Sequence, residues 1–157
     1  MRLAFGFCLL SLFLTVVGCS KPQPTVTYSV DKYDPQRDPA ADLGATVKVA
    51  QAAHKRILLQ VGGDWCKWCH RLDAYIAGQP ALVSAIGENF ILMKVNYSEE
   101  NQNQEFLSQY PKVPAYPHWF VLDSDGKLLH SQVTGDLEAG ETYSQPALLL
   151  FVDAWKG

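Results

Sequence analysis

Six consecutive residues carry the groups best suited to covalent chemistry: Trp65-Cys66-Lys67-Trp68-Cys69-His70. Two thiols three positions apart are the smallest set of parts for disulfide exchange, one attacking as thiolate and one resolving the mixed disulfide. The motif follows the apolar run Ile57 to Val61 and a Gly62-Gly63-Asp64 break, so it should open a helix. A helix start presents unpaired backbone N–H groups and the positive end of the macrodipole. Both favour thiolate at Cys66, and the adjacent Lys67 ammonium adds to the effect. Cys69 follows one turn later on the same side and can close a disulfide with Cys66. Cys66 is then the nucleophile and Cys69 the resolving thiol.

The same residues admit other chemistry. Cys66-Lys67-Trp68-Cys69-His70 is also C-x-x-C-H, the attachment pattern for c-type haem. Strand-like runs around the motif, and Met93 on one of them, weigh against haem. Two thiolates with His70 could hold a soft metal such as Cu(I) or Zn, and the domain could be a docking module without catalysis. Disulfide exchange is the stronger expectation, with no cofactor and no resident metal. A formal charge of −3 with no basic block argues against nucleic acid as a partner. Hydrophobic residues at 48% and charged residues at 18% describe an ordinary globular chain.

The elements that must position the motif are legible on either side. Asp38-Pro39 reads as a helix cap followed by proline at the first helical position, with Leu43, Val47, Ala50 and His54 at helical spacing. Ile57 to Val61 is a strand, and Trp65 to about Ala77 a helix burying Leu72, Tyr75 and Ile76. Pro80 to Ile86 is a shorter helix, Phe90 to Val95 a strand with Met93 in the core, and Ser98 to Gln109 a polar helix. Trp119 to Leu122 runs into the turn signal Asp123-Ser124-Asp125-Gly126 and returns through Lys127 to Thr134. Ser144 caps a last helix whose inward residues are Leu148, Phe151, Val152 and Trp155. Val26 to Val30 can add an edge strand. The order implies an α/β fold with a mixed central sheet, parallel crossovers early and a hairpin late.

The four cysteines do not form a structural framework. Arg2 and the apolar run Leu3 to Val17 read as an export signal, too short for a permanent span. It ends in Val16-Val17-Gly18-Cys19-Ser20, which resembles the lipobox of bacterial lipoproteins. That resemblance implies cleavage before Cys19, acylation of Cys19 (palmitate among the acyl chains) and attachment on the periplasmic side of a membrane. Ser20 in place of Asp resembles outer-membrane sorting in a Gram-negative source. The expected division is residues 1–18 as signal, 19–37 as lipid-anchored tether rich in proline, and 38–157 as the folded domain.

Strand, W-C-x-x-C, helix, and a proline before the last hairpin together resemble the thioredoxin family over about residues 40–157. The resemblance implies a thioredoxin-like fold and thiol–disulfide oxidoreductase activity on disulfide- or thiol-bearing proteins, recharged by a redox partner. It implies a cis-proline beside the dithiol. Of Pro111, Pro114 and Pro117, the spacing of Val113-Pro114-Ala115-Tyr116-Pro117 matches at Pro117, so Tyr116 offers backbone to substrate. Trp65 would shield the dithiol, an exposed Trp68 would meet substrate, and His118 follows the proline where the family often has Thr. His70 or His118 could stabilise thiolate or move a proton. One departure stands out: the buried acid below the family's dithiol falls here on Gln60, which cannot act as a base. W-C-x-W-C-H is similar to a subgroup of exported bacterial thioredoxin-like proteins.

Overall fold

Local chemistry sets the element boundaries. The computed structural model describes residues 25–157; Cys8, Cys19 and the signal lie outside them. Strand β1 spans Thr27–Val30. Helix α1 spans Pro39–Ala53, started by the Asp38 carboxylate accepting from the Ala40 and Ala41 amides and stopped at His54 in the left-handed conformation. Strand β2 is Arg56–Gly62, helix α2 Lys67–Ala77, helix α3 Pro80–Asn89, and strand β3 Phe90–Asn96. A single turn, α4, covers Gln104–Leu107, followed by the hairpin β4 His118–Leu122 and β5 Leu128–Val133. A small ribbon, β6 Glu138–Ala139 and β7 Thr142–Tyr143, leads into α5 Gln145–Trp155, where the Ser144 hydroxyl accepts from the Ala147 amide.

The sheet runs β1-β3-β2-β4-β5. β1 and β2 are parallel to β3, which lies between them, while β4 is antiparallel to the central β2 and to β5. The expected α/β mixed sheet is therefore present, with apolar layers on both faces. Leu58, Leu92, Trp119 and Val121 face α2, α3 and α5. Ile57, Leu59, Ile91, Met93 and Phe120 form the other layer with Ala50 of α1. Alternation along each strand sends neighbours to opposite faces, and burial on both faces is why these strands read as continuous apolar runs. Among the described residues no helix is long and apolar enough to cross a membrane.

Two expectations need correction, and one element is additional. The polar helix over Ser98 to Gln109 is mostly an asparagine-pinned loop: Asn96 Nδ2 donates to the Asn101 carbonyl (2.8 Å) and Asn103 Nδ2 to the Asn96 carbonyl (2.7 Å). Side chains that bond nearby backbone compete with helix, and only Gln104–Leu107 turns. The packed part of the chain also begins before 38, since β1 joins the sheet and Tyr33 is buried. The β6–β7 ribbon turns at Gly140-Glu141, with Gly140 at φ 64°, and was missed because its two-residue strands are too short to show alternation in the sequence.

Candidate functional site

The parallel strands β2 and β3 end at one edge of the sheet, and the antiparallel β4 begins there. Val61 pairs with His118, and Gly62 with Asn96. That edge receives the loop entering α2 and the segment entering β4. Cys66 caps α2: its Sγ accepts from the Cys69 amide at 3.1 Å, and its carbonyl accepts from Cys69 and His70. Cys66 and Cys69 are joined in a disulfide with their Cα atoms 5.2 Å apart. Cys66 is 3% exposed and Cys69 wholly buried. On reduction, the first-turn amide at Cys66 Sγ favours charge on that sulfur over its partner.

An aromatic rim stands on the outer side. Trp65 is 57% exposed, its indole N–H donating to the Tyr97 carbonyl at 2.7 Å. Its ring meets Tyr116 edge-on (centroids 5.5 Å), and Tyr116 stacks on Tyr97 at 4.8 Å. The Tyr116–Pro117 peptide is cis, and Tyr116 packs against the cluster formed by Tyr33, Cys66 and Cys69. Burial first, then the Tyr97 hydroxyl, pushes the Tyr116 phenol above its usual range. Beside Trp65 lies a groove of about 730 Å³ lined by Asp64, Tyr97, Ser98, Glu99 and Glu100 among others. Trp68 corrects expectation. It is half-buried rather than exposed, with Tyr143 edge-on at 5.7 Å and the Arg71 guanidinium over its ring at 4.4 Å. The β6–β7 ribbon supplies that cover, with Arg71 also donating to the Glu141 carbonyl.

The inner side is polar and mostly buried. Gly62 leaves the space: a Cβ there would stand 2.5 Å from Cys69 Sγ and 3.0 Å from the Tyr33 hydroxyl oxygen. Beneath it Gln60 is fully buried and fully bonded. The Trp119 indole N–H, a donor only, reaches Gln60 Oε1 at 2.9 Å and thereby fixes which end of the amide is nitrogen. Gln60 Nε2 donates to the Tyr33 hydroxyl oxygen (2.8 Å) and to Asp73 Oδ1 (2.9 Å). Asp73 Oδ2 is paired with Lys94 Nζ at 2.7 Å, and that ammonium also lies 5.1 Å from the Tyr33 ring centroid. An acid is therefore present below the dithiol, contributed by α2 and one amide removed. Tyr33 and Asp73 were missed from sequence. The one available signal was Gln60 itself, since a buried amide in an apolar strand must find partners.

The remaining expected site residues divide. Lys67 is exposed beside Cys66 on the first turn. His70 is exposed, its Nε2 at 2.8 Å from the Asp64 carbonyl, which braces the loop before Cys66. His118 does not face substrate: it is fully buried in β4, 4.7 Å from the Phe120 ring, with Nε2 at 2.8 Å from the Ser131 hydroxyl. Its Nδ1 has no partner among the described residues. Burial first, and His130 second, lower its pKa to about 4. The strand register explains the difference, since β4 begins directly after Pro117 and turns its first side chain, His118, into the core.

Comparison with known proteins agrees with this architecture. The model of a family described as thioredoxin-like matches residues 38–124, more than half of the chain. A thiol:disulfide interchange protein, DsbD, of Pseudomonas sp. (strain JR1 / K1) is 30% identical over 113 residues, covering 71% of this chain and 19% of that protein. A disulfide bond reductase, DsbH, of Chlamydia pneumoniae is 31% identical over 85 residues, covering 48% of this chain and 51% of that protein. The chain thus spans about a fifth and about half of these two relatives. A solved structure of a disulphide isomerase from Xylella fastidiosa Temecula1 superposes with a TM-score of 0.65 at 24% identity, covering 78% of this chain and 94% of that one. It has the same fold.

Proposed function

We propose, from the premise that this chain belongs to the thioredoxin-like family, that it is a thiol–disulfide oxidoreductase acting outside the cytoplasm on protein disulfides. The observation that carries the proposal is the disulfide-bonded pair at the start of α2, with Cys66 on the helix amides and the cis Tyr116–Pro117 segment packed against it. Reduced Cys66 attacks one sulfur of a substrate disulfide, forming a mixed disulfide and expelling the first thiolate, which takes a proton from water. Cys69 then loses its proton and attacks Cys66 Sγ. The second substrate thiol leaves and the Cys66–Cys69 disulfide closes, so substrate gains two electrons and the enzyme loses two. A dithiol redox partner returns them. Run in reverse, the same steps oxidise a substrate dithiol, with direction set by the potential of the couple.

The cellular setting belongs to the same proposal. Supporting it are the apolar run Leu3 to Val17 and the lipobox-like Val16 to Ser20. Residues 1–18 are the signal, Cys19 carries the lipid, and the polar, proline-bearing stretch from Ser20 lifts the domain off the membrane surface. The periplasmic side, at the outer membrane, is the favoured location. Several acyl chains on Cys19 would hold the protein firmly where one alone binds marginally. The motif Trp65-Cys66-Lys67-Trp68-Cys69-His70 supports membership of a W-C-x-W-C-H subgroup of exported thioredoxin-like proteins as part of the same proposal.

Trapping tests the chemistry. Cys69→Ser should accumulate mixed disulfides with protein substrates through Cys66, visible as adducts on non-reducing gels that collapse with dithiothreitol. Cys66→Ser should accumulate none. Equal trapping by both variants would overturn the assignment of roles.

A further inference from the structure

Resting on that exchange chemistry, we infer that Tyr33 is a catalytic residue: its hydroxyl donates a hydrogen bond to the Cys69 sulfur and holds it as thiolate for the resolving step. Tyr33 lies before α1, in the stretch that the sequence assigns to a tether, yet it is 4% exposed and forms one buried cluster with Cys66 and Cys69. Its hydroxyl and Cys69 Sγ share the space that Gly62 leaves by lacking a Cβ.

Donor–acceptor counting aims the proton. Trp119 takes Gln60 Oε1, so Gln60 Nε2 has two hydrogens, one for Asp73 and one for the Tyr33 oxygen. The tyrosine oxygen therefore accepts from Gln60 and must send its own proton elsewhere. With Cys69 held in the disulfide, no nitrogen, oxygen or sulfur among the described residues receives it; the hydroxyl borders the groove beside Trp65 on one side and shares the space over Gly62 with Cys69 Sγ, the acceptor that reduction makes available, on the other. Gln60 is a positioning residue that turns the hydroxyl toward sulfur.

The surrounding charges allow this role. Those facing the hydroxyl are Asp73 on α2, paired with Lys94 on β3, then Tyr28 on β1 and Asp64 in the loop before α2. Burial, with Asp73 behind it, drives the Tyr33 phenol far above its usual range, so it stays a donor at every working pH. A neutral, permanently protonated donor suits a sulfur whose charge appears only during resolution. In that step the Cys69 proton goes to water, the Cys69–Cys66 bond forms, and the Cys66–substrate bond breaks with release of thiolate. A hydrogen bond to a charged group favours the ion by about tenfold or more.

Tyr33→Phe removes the hydroxyl and keeps the ring. The reduced protein is mixed with 5,5′-dithiobis(2-nitrobenzoate) in stopped flow, where the first thionitrobenzoate reports attack by Cys66 and the second reports resolution by Cys69. The first phase should match wild type within about twofold, and the second should slow ~5- to 10-fold at pH 7. The two proteins should converge at high pH, where Cys69 is ionised in both. In the Cys66→Ser background the Cβ carbon resonance of Cys69 should titrate about one pH unit higher after Tyr33→Phe. An unchanged Cys69 titration, or a slowing that persists at high pH, would overturn the proposal. If wild type gives no first phase, the exchange reading fails, and the Cys69 titration still decides the hydroxyl's role. Should Tyr33→Phe not fold, ζ-carbon-labelled tyrosine in Cys66→Ser answers instead: the Tyr33 resonance must move with Cys69 ionisation, and its indifference would refute the bond.

Discussion

The two sulfurs lie between unlike surroundings. On the outer side Trp65, Tyr116 and Tyr97 touch through ring faces and edges, and Trp65 stands more than half in solvent. On the inner side Tyr33, Gln60, Asp73, Lys94 and Trp119 form a chain in which each bond dictates the next. Aromatic contact is tolerant of geometry, so the outer side can adapt to different partners. A buried polar chain tolerates no missing member, because an unpaired group there keeps its full desolvation cost. Cys66 caps the helix on the accessible side and Cys69 ends on the rigid one. The proposed division of labour, one thiol meeting substrate and the other resolving, rests on what surrounds each.

The contrast breaks most visibly at Lys94. Lys94→Met should leave the partly buried Asp73 carboxyl without its ion partner, costing about 1–3 kcal/mol of stability. Urea unfolding of the oxidised protein checks this, and a loss below about 0.5 kcal/mol would place the pair in the surface class instead. A double change, Lys94→Met with Asp73→Leu, should recover much of the loss.

His118, buried on the other face of the sheet, sets a second inner effect. Its folded pKa of about 4 lies below the ordinary 6.5, so between those values the unfolded chain takes up a proton that the folded chain refuses. This contribution is complete above pH 6.5 and is lost as pH falls toward 4. Its size is of the order of 2 kcal/mol between pH 7 and 4.5. His118→Gln keeps a donor near Ser131 and should flatten stability over that window, measured by unfolding at the two pH values. An unchanged pH dependence would remove His118 from the cause.

The smallest expected change lies outside. Trp65→Ala should move the melting temperature by under about 2 °C, since the ring is largely exposed. It should raise KM for a protein disulfide ~3- to 5-fold while leaving a small disulfide such as oxidised glutathione unaffected. Equal effects on both substrates would mean that Trp65 acts on the dithiol rather than on recognition.

Legibility in the sequence followed the range of the interactions. Cys66 and Cys69, the helix they open, the Asp38 and Ser144 caps and the β4–β5 hairpin are local patterns, and they read directly. The mixed α/β sheet followed from their order, and its thioredoxin-like form from the resemblance carried by the dithiol motif and Pro117. The inner chain did not read, because Tyr33, Gln60, Asp73, Lys94 and Trp119 are distant in sequence and meet only when β1, β2, β3 and β4 are laid side by side. Gln60 showed that an acid was missing from its usual place without showing that Asp73 reaches the same spot from α2. Tyr33 was hidden in a proline-bearing polar stretch, and the Asn96, Asn101 and Asn103 loop was read as helix because its side-chain bonds to backbone carry no periodic signal.

Unequal reactivity of the two thiols is the direct measure of their unequal surroundings. Reduced protein is treated with limiting iodoacetamide, quenched and cleaved with trypsin, which separates the two cysteines at Lys67. With Cys66 on the helix amides and Cys69 enclosed, label on Cys66 should exceed label on Cys69 at least ~10-fold at neutral pH. Equal labelling, or preference for Cys69, would contradict the assignment of Cys66 as the attacking sulfur.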